Sequence, residues 1–262
     1  MLLADQALGL SRGRLPLCWA REKNLPMPLG ILYIFAKEPE PGRVKTRLCP
    51  PLRPAQAADL VEAFLGDMLE TLVAAGAGGL FEVRLAASPG AGGPRLADLA
   101  RRSGVACLEQ GHGDLGRRMQ RVMEAGLEEA EAVALVGGDL PDLPPRYVTS
   151  SFQMLAPGRG EAEPEVVLGP CDDGGYYLVA ARRRVPCLFS IDVPWGGSGV
   201  FGATTTRLSE EGIVYSLVPL WSDVDDAASL ASLNRRLESD TSACCPRTVE
   251  LLARLRREGW QP

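Results

Sequence analysis

Residues 30–48, GILYIFAKEPEPGRVKTRL, place an apolar run directly before a short basic loop. The run from residue 30 to 36 is rich in β-branched and aromatic residues, which is typical of a strand buried on both faces. Beyond Pro54, apolar residues from Leu60 to Leu72 recur every four positions, as they do along one side of a helix. This part of the chain therefore predicts a strand, a loop and a helix as its opening unit.

The same alternation continues to the end of the chain. Further strands are predicted at 81–88, 105–110, 132–139, 165–170, 174–180 and 212–219, and helical segments at 94–102, 116–129 and 199–210. Two closing helices are predicted from the spacing of Leu230, Leu233 and Leu237 and of Val249, Leu252 and Leu255. Strands that alternate with helices predict an α/β fold with a mostly parallel central sheet and helices on both faces.

The composition limits the class of protein. The chain has 262 residues, 46% of them hydrophobic, and a net charge of −5, which argues against bulk nucleic-acid binding. It has no apolar run long enough to span a membrane and no secretory signal, so we expect a cytoplasmic protein without a membrane span. Whether it forms a homodimer stays open. Residues 1–26 are interpreted as an extension of unknown role, and 27–262 as a single domain.

Candidate functional residues lie just after the predicted strands, because ligands of open α/β sheets bind beyond the carboxyl ends of the strands. This rule selects the segments 37–47, 111–116, 137–144, 171–177 and 223–226.

The basic loop is the first of these segments. Its candidate phosphate ligands are Lys37, Gly42, Arg43, Lys45 and Arg47, because Lys and Arg bind phosphate oxygens and a glycine lets the backbone approach a ligand closely. A P-loop is disfavoured because the required glycines are absent, and a solvated charged loop stays open as the alternative.

The segment GHGDLG, residues 111–116, fits the GxGxxG pattern and opens a predicted helix. A dinucleotide site is therefore one interpretation. It is disfavoured because the unit would start in the middle of the chain and would leave the basic loop without a role. The free N–H groups behind Gly116 could still bind an anion.

Aspartates follow the later strands. Asp139 ends a wholly apolar strand and is interpreted as a ligand of Mg²⁺ or Mn²⁺, with Asp223 or, preferably, Asp225 as the second ligand. Asp142 and Asp226 suit the simpler role of helix N-caps. Asp172 and Asp173 lie in a turn with two glycines. It is either a plain β-turn or a site at which one of the carboxylates holds the acceptor, acts as a base or joins the metal. His112 is the only histidine, which excludes multi-histidine zinc chemistry.

Four ordered motifs carry a resemblance to a known family: FAKEPEPGRVKTRL, QGHGDLGRRM, GGDLPDLP and GPCDDGGYYLVA. With them, the chain resembles the bacterial DUF2064 family of glycosyltransferase-like proteins, some of which are labelled arsenosugar-biosynthesis or radical-SAM-associated transferases. That family is similar to the nucleotide-diphospho-sugar transferase (GT-A) superfamily, which also includes nucleotidyltransferases such as 2-phospholactate guanylyltransferase. The resemblance covers about residues 29 to 237.

The resemblance implies a role for each motif. Lys45 and Arg47 would hold nucleotide phosphates, Asp139 would bind the metal, and QGHGDLGRRM, with Gly113, Asp114 and Gly116, would form the nucleotide-side wall. Asp173 would lie on the acceptor side. The acceptor-side residues are then Asp172, Asp173, Gly174, Gly175, Tyr176 and Trp195.

These roles lead to three hypotheses. The first is a Mg²⁺- or Mn²⁺-dependent glycosyltransferase that moves a sugar from a nucleoside diphosphate to a small-molecule acceptor, with Lys45 and Asp173 as catalytic residues. The second is nucleotidyl transfer from an NTP to a small phosphorylated or carboxylated acceptor. The third is a degenerate nucleotide-binding partner of another enzyme.

Overall fold

The computed structural model describes residues 29–90, 92–158, 163–239 and 245–260. The predicted extension, residues 1–26, lies outside the described residues.

The described residues form seven strands and seven helices, which alternate except for one pair of consecutive strands and one pair of consecutive helices. The strands are β1 (Gly30–Lys37), β2 (Phe81–Ser88), β3 (Ala106–Glu109), β4 (Ala132–Gly137), β5 (Val166–Pro170), β6 (Tyr176–Ala181) and β7 (Tyr215–Leu217). The helices are α1 (Pro54–Gly76), α2 (Pro94–Ser103), α3 (Leu115–Gly126), α4 (Pro145–Leu155), α5 (Val200–Glu210), α6 (Ala227–Ser239) and α7 (Pro246–Arg257). A short 3-10 turn, Thr46–Leu48, follows the basic loop.

All seven strands belong to one sheet in the order β3-β2-β1-β4-β6-β5-β7. Strand β6 is antiparallel to its neighbours β4 and β5, and the other pairs are parallel. The predicted α/β fold with a mostly parallel sheet is therefore confirmed. Because β1, β2, β4 and β5 share one direction, their carboxyl ends meet at the same edge of the sheet.

The strands are buried on both faces, which explains their nearly continuous apolar sequences. On one face, sheet residues such as Leu32 pack with Leu65 of α1 and Phe152 of α4. On the other face, Tyr33 packs with Met123 of α3 and Leu208 of α5. A third apolar cluster joins α1 to the two C-terminal helices, so these helices brace α1 and the 3-10 turn behind the basic loop.

Two details of the sequence interpretation are wrong. Asp142 does not cap α4, whose N-cap is Pro144 with Pro145 in the first turn. The Asp142 carboxylate instead accepts hydrogen bonds from Arg236 Nε at 2.7 Å and Trp221 Nε1 at 3.3 Å, because it lies against α6 and not over the start of α4. Val249 does not belong to the buried side of α7: it is 47% exposed, whereas Leu252 and Leu255 are buried.

None of the helices in the described ranges combines the length and the apolar character that crossing a membrane would require.

Candidate active site

A cleft of about 670 Å³ opens at the carboxyl ends of β1, β2 and β4. The basic loop lines one part of it, and residues 88–90 and 109–113, from the ends of β2 and β3, line another. The predicted site residues that line it are Lys37, Arg43, Lys45, Gly113, Asp139 and Asp225. The fold thus brings the basic loop and the two aspartates predicted to bind metal into one cavity, as the switch-point rule requires.

Lys45 is the most enclosed cation of the cleft. Its side chain is only 6% exposed, and Nζ lies 2.7 Å from Asp139 Oδ2 and 3.3 Å from Asp225 Oδ1. Burial alone would lower the pKa of Lys45, but the two carboxylates outweigh this effect and raise the pKa, so the ammonium stays charged. Lys45 also has φ = 45°, a left-handed conformation that costs a non-glycine residue about 1–2 kcal/mol. Such strain is typical of functional loops.

The other basic residues of the loop are more open to solvent. Arg47 is 77% exposed and pairs with Asp225 Oδ2 at 2.6 Å, while Arg43 pairs with Glu40 at 3.3 Å. Lys37 Nζ donates to the carbonyl of Arg43 at 2.8 Å and so closes the loop on itself. Arg47 and Gly42 do not line the cleft itself, and a Cβ at Gly42 would meet no other atom within 4 Å.

The aspartates form one electrostatic cluster beside Lys45. The amide of Val224 donates to the carbonyl of Asp139 at 3.1 Å, which fixes segment 223–226 next to the end of β4. Burial raises the pKa of Asp223 to about 6, Lys45 opposes this shift, and Asp139, Asp173 and Asp225 add to it. The acceptor-side and metal-side aspartates predicted from the sequence are therefore close enough to affect one another.

A second group of potential ligand atoms lies on the acceptor side. The thiol of Cys171 and carboxylate oxygens of Asp172 and Asp223 lie within 4.8 Å of one another. Asp172 also accepts a hydrogen bond from Ser222 Oγ at 2.7 Å. Burial raises the pKa of Cys171 to about 12, so the thiol is protonated at neutral pH.

The turn that carries Asp173 is fixed by its glycines. The amide of Gly174 donates to the carbonyl of Cys171 at 3.2 Å, so the local β-turn considered from the sequence exists. Asp173 Oδ1 accepts from the amide of Gly175 at 2.8 Å, and the residue stays exposed. Gly174 has φ = 87°, and a Cβ there would lie 2.0 Å from the carbonyl of Ser198. The Gly174 carbonyl accepts from the amide of Phe201 at 2.9 Å, which joins the turn to the start of α5.

Trp195 links the predicted acceptor side to the GHGDLG segment. Its ring lies edge-on to Tyr176 at 6.4 Å and covers Gly116, where a Cβ would lie 2.3 Å from the indole nitrogen. Gly116 therefore contacts Trp195 and not the cleft. Asp114 is the N-cap of α3 and accepts from the amide of Arg117 at 2.8 Å, so of the three predicted nucleotide-side residues only Gly113 lines the cleft.

Three residues of the site region were not singled out from the sequence. Glu38 caps α2, with its carboxylate accepting amide hydrogen bonds from Gly93, Arg95 and Leu96 at 2.8–3.2 Å. Gln110 and Arg118 line the cleft and are joined by a 2.6 Å hydrogen bond. Glu38 belongs to the basic loop, and Gln110 and Arg118 belong to QGHGDLGRRM. Their position within these motifs is the sequence feature that could have identified them as site residues.

The chain is similar in sequence to known proteins. The family model described as "Uncharacterized protein conserved in bacteria (DUF2064)" matches residues 71–197. A protein of Phenylobacterium zucineum (strain HLK1) named 3-phospho-D-glycerate guanylyltransferase is 29% identical over 219 residues, which are 81% of this chain and 91% of that protein.

Two crystal structures are similar to the whole domain. A nucleotide-diphospho-sugar transferase-like protein of Desulfovibrio desulfuricans G20 has a TM-score of 0.74 and 28% identity, covering 88% of this chain and 98% of its own. Glucosyl-3-phosphoglycerate synthase of Mycobacterium tuberculosis, in complex with Mn²⁺, UDP and glucosyl-3-phosphoglycerate, has a TM-score of 0.50 and 14% identity, covering 86% of this chain and 78% of its own. The second likeness concerns the fold alone. The predicted resemblance is thus confirmed: the chain matches the DUF2064 family over residues 71–197 and has the fold of the nucleotide-diphospho-sugar transferases.

Proposed function

We propose that residues 27–262 form a metal-dependent transferase whose donor is a nucleotide bound along the basic loop. The observation that carries the proposal is the position of Lys45, a buried, charged ammonium between Asp139 and Asp225 in the cleft. A cation there stabilises the negative charge that grows on a departing phosphate group, and a buried position strengthens this interaction.

The basic lining and the volume of the cleft support binding of a diphosphate or triphosphate. Lys37, Arg43 and Lys45 line one wall, and the 670 Å³ volume suits a nucleotide-sized ligand. Arg47 lies at the rim, where it is exposed and paired with Asp225. We propose that phosphate oxygens take over the contacts that Arg43 and Arg47 now make with Glu40 and Asp225.

The carboxylates around Lys45 fit a divalent cation. Asp139 and Asp225 offer the hard oxygen donors that Mg²⁺ and Mn²⁺ prefer, and both side chains are more than a third exposed and so within reach of an ion. A bound ion would share the diphosphate charge with Lys45. Asp139, as the ligand fixed to the backbone of Val224, is the one we expect to matter most.

Nucleotidyl transfer is the reaction that the named relative favours. In it, a phosphate or carboxylate oxygen of the acceptor bonds to the α-phosphorus of an NTP, the bond to the bridging oxygen breaks, and pyrophosphate leaves. Lys45 would neutralise the leaving pyrophosphate. By analogy with that relative, the acceptor class is a small phosphorylated acid such as 3-phospho-D-glycerate.

Glycosyl transfer, the reaction favoured from the sequence, is the second candidate. The charge of the acceptor side favours it: Asp172, Asp173 and Asp223 would repel an anionic acceptor, whereas a carboxylate can take the proton of an attacking hydroxyl. In this reaction the acceptor oxygen bonds to the anomeric carbon and a nucleoside diphosphate leaves. Asp173 is the exposed carboxylate proposed for the acceptor.

The two reactions release different products, so one experiment separates them. The protein is incubated with Mn²⁺, a panel of NTPs or nucleotide sugars, and small phosphorylated, carboxylated or neutral acceptors. Acceptor-dependent pyrophosphate release supports nucleotidyl transfer, and release of a nucleoside diphosphate from a nucleotide sugar supports glycosyl transfer. Nucleotide binding without any turnover, unchanged in Asp139→Asn, would indicate the binding-partner hypothesis instead.

A further inference from the structure

The β3 side of the cleft, which β2 separates from β1 and its basic loop, carries two opposite charges. Glu109, the last residue of β3, and Arg118, in α3, both line the cleft. Within the described ranges, neither side chain has an ion-pair partner within 4.0 Å, although they share one cavity. By contrast, Lys45 and Arg43 in the same cleft are both paired with carboxylates.

Arg118 is held in place by a buried amide. Gln110 is 3% exposed, and its Nε2 donates to the carbonyls of Ala86 at 2.7 Å and Ala36 at 3.3 Å, at the ends of β2 and β1. Its Oε1 accepts from Arg118 Nη1 at 2.6 Å. The guanidinium is therefore anchored to the sheet through one nitrogen, and Nη2 has no hydrogen-bond partner in the parts of the chain that the structure describes.

The backbone between the two charges is also fixed. Arg121 donates from Nη1 to the carbonyls of Gln110 at 3.0 Å and His112 at 3.1 Å. Gly111 and Gly113 have φ values of 81° and 108°, which only glycine adopts readily. This wall is thus formed before a ligand arrives, which reduces the entropy cost of binding.

We propose that Glu109 and Arg118 recognise the base of the bound nucleotide and that this base is guanine. If the phosphates lie on the basic loop, the β3 side of the cleft is left for the base, which is uncharged and must be distinguished by its donors and acceptors. Guanine offers O6 and N7 as paired acceptors and N1–H and N2–H as paired donors. These match a guanidinium and a carboxylate, respectively.

Other bases fit this pair of side chains less well. Adenine presents an amino group in place of O6, which faces a guanidinium with a donor, and it has no donor pair for a carboxylate. Uracil has a single ring N–H, so it offers a carboxylate one hydrogen bond and not two. The inference rests on the proposed function, because it requires a nucleotide with its phosphates on the basic loop.

Inosine nucleotides give a sharp test, because hypoxanthine keeps O6, N7 and N1–H of guanine but lacks the 2-amino group. Binding of GDP, IDP, ADP and UDP, and of the corresponding triphosphates, to the full chain in Mn²⁺ is measured by titration calorimetry. The protein should bind GDP about tenfold or more tightly than IDP, and IDP more tightly than ADP, since a bidentate contact discriminates by roughly 1–3 kcal/mol. Glu109→Ala should bring GDP to the affinity of IDP, whereas Arg118→Ala should weaken both together.

Matched controls are Glu131→Ala, an exposed carboxylate before β4, and Arg117→Ala, the neighbour of Arg118 outside the cleft. Neither should change the order of affinities, and the melting temperature of each variant without ligand shows whether it folds. Tighter binding of ADP or UDP by the unmodified protein, or a GDP preference that survives in Glu109→Ala, would overturn the inference while leaving the transferase intact. Failure of every nucleoside diphosphate and triphosphate to bind would overturn the proposed function, and the inference with it.

Discussion

The ammonium of Lys45 lies 2.7 Å from Asp139 Oδ2, which joins the loop after β1 to the end of β4. Because this pair lies where we place the phosphates, we expect Lys45→Met to lower turnover by about 10²-fold or more, as loss of one preorganised donor does at other enzyme sites. The measurement is a steady-state rate with whichever donor proves active. Arg95→Met, which removes a cation paired with Asp59 outside the cleft, should retain the rate.

The same pair predicts how nucleotides stabilise the fold. A nucleotide at 100 times its dissociation constant should raise the free energy of unfolding by about 2.7 kcal/mol. We expect this gain to require Mn²⁺ or Mg²⁺, to vanish with EDTA and to be lost in Asp139→Asn, whose amide is a much poorer metal ligand. A nucleotide-induced shift of the melting temperature that persists in EDTA would contradict the metal assignment.

Gly174 and Gly196 allow a comparison at nearly equal backbone conformation. Their φ values are 87° and 86°, but a Cβ at Gly174 would lie 2.0 Å from the Ser198 carbonyl, whereas one at Gly196 would meet nothing within 4 Å. Both alanine variants bear the cost of a left-handed residue, about 1–2 kcal/mol, and Gly174→Ala should lose a further 1–3 kcal/mol or so from overpacking. Urea unfolding measures the difference; equal losses would show that the turn does not depend on this contact.

Gly116 and Gly202 form a second pair, both within helices. A Cβ at Gly116 would lie 2.3 Å from Trp195 Nε1, and one at Gly202 would meet no atom within 4 Å. We expect Gly116→Ala to displace the indole, destabilise the protein by about 1–3 kcal/mol and change its tryptophan fluorescence. Gly202→Ala should instead gain about 0.5–1 kcal/mol, because alanine favours a helix.

Asp67, which is fully buried in α1, fixes the start of α7. Its carboxylate accepts from the amides of Arg247 at 3.0 Å and Thr248 at 2.8 Å. Because hydrogen bonds to a charged group contribute about 1.5–3 kcal/mol, Asp67→Asn should lower the free energy of unfolding by about that amount. Glu70→Gln removes an exposed partner of Arg247 and should cost under about 1 kcal/mol. Urea unfolding tests both, and nucleotide affinity should change in neither.

The fold followed from the sequence because local patterns determine it. The apolar runs of β1 and β4 predict buried strands, and the rule that ligands bind beyond the carboxyl ends of strands selects the loops after them as candidate sites. The reversed direction of β6 was not predicted, since an apolar run has the same appearance in a parallel or an antiparallel position. Its direction depends on the short Cys171–Gly175 turn, which is too short for the crossover that two parallel strands need.

The composition of the site was predicted less completely than its place. The sequence could mark Lys45, Asp139 and Asp225 separately, but not that one ammonium pairs with both aspartates, because this depends on long-range packing. Asp142 illustrates the opposite error: a cap was predicted from its spacing to α4, while Arg236, distant in sequence, determines its actual contact. Local spacing predicts caps and turns well only when no distant partner competes for the side chain.

The hydrogen bond from Val224 to the Asp139 carbonyl also has a consequence for biosynthesis. The basic loop, β4 and the aspartates after it are translated well before residues 223–225, yet Lys45 needs Asp225 as well as Asp139 for its two ion pairs. A nascent chain that ends before this segment has only one of the two carboxylates that pair with Lys45. Competence to hold a nucleotide and an ion should therefore be gained only after residue 225 has been translated.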